Sequence, residues 1–307
     1  TLGMFLPTSN PDRADIPPVP DIAAALRDYR GAGPVAEGEA FDPAPENIER
    51  RVIRRTLPGG MKLALLPKKT RGGTVVAQLS LRWGDEAAKR GRSTACGVTG
   101  AMLMRGTGKL TREQISNEFS RLKANVGASA EGGSIETVRA SLPEALALLA
   151  QVLREPSFPE SEFEQLRQSS LAGLEAQKSD PSALAGIELR RHLNPQVPEH
   201  WNYSPDLDER AARIKALTLD EVRRCHTDFV GASNSELSLV GDFDAEQIAR
   251  LAADLFGNWA SPRAYARIWI WKSALEAALA RPFFGFGPGL FERAFEVFKF
   301  PFYSCNI

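Results

Sequence analysis

Three cysteines, Cys96, Cys225 and Cys305, are too few and too scattered along 307 residues for a disulfide framework or a cysteine zinc site. Three histidines, His192, His200 and His226, leave little for a histidine metal centre. Neither sign of charge prevails, since 38 Lys and Arg face 38 Asp and Glu. A chain without a net field has no cheap means of gathering nucleic acid or an anionic membrane, so neither is expected as a partner. No apolar run reaches about 18 residues, which excludes an ordinary membrane helix. The opening Thr-Leu-Gly-Met-Phe-Leu-Pro-Thr lacks the basic start and long apolar core of a signal peptide. Gly285-Phe-Gly-Pro-Gly fails the dinucleotide spacing, and no Gly-x-Ser-x-Gly occurs.

What is present is a globular composition, 43% hydrophobic and 25% charged. It is unevenly spread. Residues 1–45 hold 8 of the 21 prolines, and only Asp21–Tyr29 reads as a short helix, capped by Asp21. Proline at this density stiffens a chain and removes donors, so 1–45 reads as a semi-rigid interdomain linker, expected to have joined this chain to an upstream body. Residues 263–307 carry 12 of the 25 aromatics. That tail reads as foreign to the domain or truncated.

Between them, residues 46–262 read as one domain. Arg50–Thr56 and Met61–Pro67 flank Leu57-Pro58-Gly59-Gly60, a hairpin signature. Thr74–Trp83 alternates as a third strand, and Asn125–Ala130 and Ser134–Leu142 read as two more. Helices are expected at Ser93–Arg105, from Thr111 to about Lys123, and at Glu144–Arg154, Glu160–Lys178, Ser182–Leu193, Leu219–Phe229 and Ala245–Phe256, with a strand at Glu236–Gly241. Strands in small groups between helix pairs predict α+β, a mainly antiparallel sheet covered by helices.

Four segments of this region occur in a familiar order. Thr56–Leu63 (TLPGGMKL), Gly97–Thr107 (GVTGAMLMRGT) and Leu239-Val240-Gly241-Asp242-Phe243, with Leu219-Asp220-Glu221-Val222 before the last, resemble the pitrilysin/insulinase family of zinc metallopeptidases, the inverzincins. The resemblance implies a metallopeptidase-like (LuxS/MPP-type) domain. The family motif is H-x-x-E-H, in which two histidines one helical turn apart hold zinc and the glutamate activates its water. Aligned on Gly106-Thr107, those positions are Gly97, Gly100 and Ala101, and the family's third ligand falls near Glu175. Glycine and alanine supply no donor, so no catalytic residue and no metal ligand is expected in this chain. The resemblance then implies the C-terminal, non-catalytic half of such a peptidase. Its partners would be a separate zinc-bearing catalytic half and a peptide substrate. The intact parent is expected to be exported or periplasmic. A free-standing non-catalytic subunit or scaffold is the alternative, and an active zinc peptidase comes third. The tail, from Arg267 to Phe291, is weakly similar to O-antigen-ligase-like membrane proteins.

The remaining polar residues read blandly. His192 and His200 are expected at the surface, and Cys96 as a small buried hydrophobe. Cys225 and His226, about 100° apart on one helix, cannot share a ligand. Arg50, Arg51, Arg54, Arg55, Lys68 and Lys69 form a basic patch, expected to be a solvated edge that blocks unwanted pairing.

Overall fold

The computed structural model describes residues 37–82, 90–198, 200, 202–233 and 235–260, with Ile22 and residues 26–28 from the N-terminal stretch. The chain divides at Val35–Ala36, and every element named below belongs to the second unit. Of the helix expected at Asp21–Tyr29, residues 21, 23–25 and 29 lie outside the described residues, and the tail from Ser261 onward does so entirely.

Helix α1 (Pro45–Arg51) leads into β1 (Ile53–Thr56), β2 (Lys62–Pro67) and β3 (Thr74–Leu81). Then come α2 (Ser93–Met102), α3 (Arg112–Arg121), β4 (Asn125–Ser129), β5 (Gly132–Val138), α4 (Leu142–Arg154), α5 (Glu160–Gln177) and α6 (Pro181–Leu193). Helices α7 (Leu207–Ala216) and α8 (Leu219–Phe229), strand β6 (Ser235–Gly241) and helix α9 (Ala245–Phe256) complete the order. The six strands form one sheet in the order β1-β2-β6-β3-β5-β4. Among the described residues only β2 and β6 pair in parallel. The expected α+β sheet is therefore present, with β6, the last strand in sequence, lodged between β2 and β3.

The strand alternation decides which face is covered. On β3, Val75, Ala77, Leu79 and Leu81 are buried, while Val76 between them is 52% exposed. On β6, Leu237 and Leu239 are buried and Val240 is 44% exposed. Period-two burial puts one face in the core and leaves the other open. Helix α4 meets the covered face with Leu142, Ala145, Leu146, Leu149, Val152 and Leu153, and α9 adds Ile248, Ala252 and Phe256 to the same core. Helices α5, α6 and α7 close over a smaller cluster of Leu174, Ile187 and Leu207.

Two elements depart from the sequence reading. Pro45–Arg51 is helical where a strand was expected from Arg50, because Pro45 and Glu46 suit a helix's first turn and Ile53 begins the ladder. Helix α7 was not foreseen. Asp206 and Glu209 close it with a reciprocal capping box.

Residues 37–44 have no regular structure yet are firmly seated. The Glu39 amide donates to the Lys69 carbonyl at 3.0 Å, and its carboxylate meets Arg51 at 2.6 Å. Phe41 lies beside two cations, the Lys68 ammonium 4.0 Å and the Arg51 guanidinium 5.1 Å from its ring centroid.

Candidate functional site

Helix α2 carries the three motif positions. Its run Ser-Thr-Ala-Cys-Gly-Val-Thr-Gly-Ala-Met is built of small residues, which lets neighbouring backbone approach closely. Thr99 fixes its seat: the buried hydroxyl donates to the Ala95 carbonyl (2.9 Å) and lies 3.0 Å from the Val222 carbonyl of α8. Against the other side stands the β4–β5 turn. A pocket of about 430 Å³ lies between them, lined by Cys96, Gly97, Gly100 and Ala101 on the helix and by Ala128 to Glu131 on the turn.

The three positions are not equivalent. Gly97 and Ala101 are exposed, and a Cβ at Gly97 would meet nothing within 4 Å. Gly100 is buried, and a Cβ there would stand 2.9 Å from the Ala130 backbone nitrogen. The turn thus lies directly against the helix at Gly100. Glu175, the expected third-ligand position, is exposed on α5 and pairs with Lys178 at 2.9 Å. Among the described residues no three His, Cys, Asp or Glu side chains gather as a metal site would need. Zinc does not fit this pocket: glycine and alanine offer no donor, and its one carboxylate is Glu131.

The cysteine reading is corrected. Cys96 and Cys225 are disulfide-bonded, with α carbons 5.5 Å apart although 129 residues separate them. Packing of α2 on α8 brings the two together, and sequence spacing carries no trace of that. His192 is exposed, and the His200 Nδ1 accepts from the Asn202 amide at 3.2 Å. The basic patch is neutralised piecemeal. Arg51 pairs with Glu39, Arg54 with Glu49, Arg55 with Glu246 and Lys69 with Asp242. Arg50 donates to Asn47 at 2.8 Å, and Lys68 covers Phe41.

His226 is buried, its Nε2 2.7 Å from the Leu153 carbonyl and its ring edge-on to Phe158. Burial pushes it below the usual imidazole range, outweighing the opposite pull of the Leu153 bond. The folded protein therefore takes up a proton less readily than the unfolded chain, whose imidazole titrates near 6.5. The resulting stability is full above that pH and is lost as pH falls through and below it. Urea midpoints should drop between about pH 7 and about pH 5, with a shallower drop in His226→Gln. Parallel profiles for the two proteins would show that His226 is not the group responsible.

Residues 216–282 match the family model of the peptidase M16 inactive domain. Over that stretch the chain is similar to the inactive domain of M16 peptidases. Solved structures agree. The peptidase M16 inactive domain from Pseudomonas fluorescens is 25% identical with a TM-score of 0.58, covering 69% of this chain and 51% of that one. A protease from Helicobacter pylori is 20% identical with a TM-score of 0.57, covering 68% of this chain and 51% of that one. The first half of the periplasmic protease PqqL from Escherichia coli is 15% identical with a TM-score of 0.53, covering 68% of this chain and 46% of that one. These last two speak to the fold alone. The chain spans about half the length of the first two solved chains. No curated protein matches the sequence. These matches agree with the resemblance to the pitrilysin/insulinase family read from the sequence.

Proposed function

We propose that this chain forms part of the wall of a proteolytic chamber and helps hold peptide substrate, while a separate zinc-bearing half performs hydrolysis. The observation that carries this reading is the approach of Ala130 to Gly100, which leaves no room for a general base beside donorless Gly97 and Ala101. No metal-holding set of side chains lines the pocket among the described residues, so metal activation of a water has no support there. An extended peptide could add to the outer edge of β4, which ends the sheet, by main-chain pairing. A proline-rich segment at 1–45 would tether the two halves and raise their effective concentration. The intact parent would work outside the cytoplasm, as the periplasmic neighbour suggests. No helix among the described residues is long and apolar enough to cross a membrane.

The test uses the purified chain, a fluorogenic peptide and the zinc-bearing half encoded with it. The chain alone should give no turnover above buffer, and adding it should raise turnover by the zinc half. Cleavage by the chain alone, abolished by a chelator, would sink the reading.

A further inference from the structure

We propose that the Cys96–Cys225 disulfide is a redox lock on the helix carrying the degenerate motif, closed in an oxidising compartment and opened by a dithiol reductant. Both cysteines are buried, at 5% and 2% exposure, and with Phe229 they form an apolar cluster separate from the main core. At this end of the α2–α8 seam the covalent bond thus replaces the broad packing that holds the helices elsewhere. The Thr99–Val222 contact is the next tie along α2. Cys96 also belongs to the wall of the 430 Å³ pocket, beside Gly97 and Gly100. The bond therefore ties the helix side of that pocket to α8.

The chemistry balances simply. A dithiol supplies two electrons and two protons, the S–S bond breaks, two thiols form, and the dithiol closes to its own disulfide. An oxidising compartment runs the pair the other way and keeps it closed, whereas a reducing cytosol would not. Opening removes a cross-link that closes a 129-residue loop, the kind that restrains an unfolded chain most. It also frees α2 to move relative to α8. The compartment assigned this way rests on the cysteine pair and not on any likeness to other proteins.

The full chain, exported into an oxidising compartment during production, is denatured without reductant and alkylated with iodoacetamide. Mass spectrometry should find one modified cysteine, Cys305, of the three. Dithiothreitol should lower the Tm by roughly 5–15 °C. The double variant Cys96→Ala/Cys225→Ala should start at the lower Tm and not respond to dithiothreitol. Hydrogen exchange should quicken at α2 and the β4–β5 turn on reduction while β3 and β6 keep their protection. Three alkylated cysteines, or a Tm indifferent to dithiothreitol, would overturn the bond. A lowered Tm with unchanged exchange at α2 would overturn the lock.

Discussion

Gly100→Glu will lower the unfolding free energy by roughly 3–5 kcal/mol, whereas Gly97→His on the same helix will change it by less than about 0.5 kcal/mol. The contrast follows from what each new side chain meets. At Gly100 the added Cβ would lie 2.9 Å from the Ala130 nitrogen and 3.5 Å from the Ser129 Cα, and both are backbone atoms that cannot swing aside. The turn would have to shift, and a carboxylate would be forced into a buried position without a partner. At Gly97 nothing lies within 4 Å and the position faces solvent, so the histidine enters open space. Removing a helical glycine there even restores some propensity. Urea unfolding of the two single variants decides the matter, and equal losses would refute it. The triple variant Gly97→His/Gly100→Glu/Ala101→His should hold well under one zinc per chain after exchange against a weak chelator. A stoichiometric zinc that raises the Tm would show that the pocket can be reopened.

Gly241→Ala should cost about 4 kcal/mol. Gly241 ends β6 at φ +141°, and a Cβ would fall 2.4 Å from the Thr74 carbonyl oxygen and 2.7 Å from the Val75 Cα. Its own carbonyl accepts from the Lys68 amide at 2.8 Å, so the residue joins β2 and β3 at once. No side chain fits between two such neighbours. The next residue, Asp242, is held below the ordinary carboxylate range: burial acts against this, but bonds to Arg139 and Lys69 prevail. Asp242→Asn should lose far less, because both cations are largely exposed and the attraction is screened. Comparable urea midpoints for the two variants would remove the backbone argument.

Helices with strong local signals were legible from sequence. Thr111 with Gln114 and Thr218 with Glu221 both close capping boxes at the expected starts, and Ile115 is fully buried where a staple would need it. Helix α7 has the same box yet escaped notice. It buries only Leu207 fully, with Ala211 and Ile214 partly covered, so its apolar period is faint amid charge. The Pro- and Asn-rich stretch before it suggested a loop. That Gly97, Gly100 and Ala101 carry no donor follows from their residue types alone. The reason Gly100 must be glycine does not, because Ala130 approaches it from 30 residues away. The disulfide was hidden for the same reason, at longer range. Two cysteines meet only once α2 and α8 have packed.

The lodging of β6 between β2 and β3 has a bearing on how the protein is made. Pro67 ends β2 and Gly241 ends β6, so about 170 residues must follow the first hairpin before its neighbour exists. At ordinary synthesis rates that takes roughly 10–35 s. Throughout that time one edge of β2 and one edge of β3 stand unpaired, with Leu63, Leu65, Val75 and Leu79 waiting for a core. The sheet cannot grow outward from its first hairpin; it closes from the middle, and late. Fragments released before Gly241 would carry two open edges and be prone to aggregate, so the nascent chain calls for protection until its seventh-last described strand residue, Ser235, and those after it have emerged.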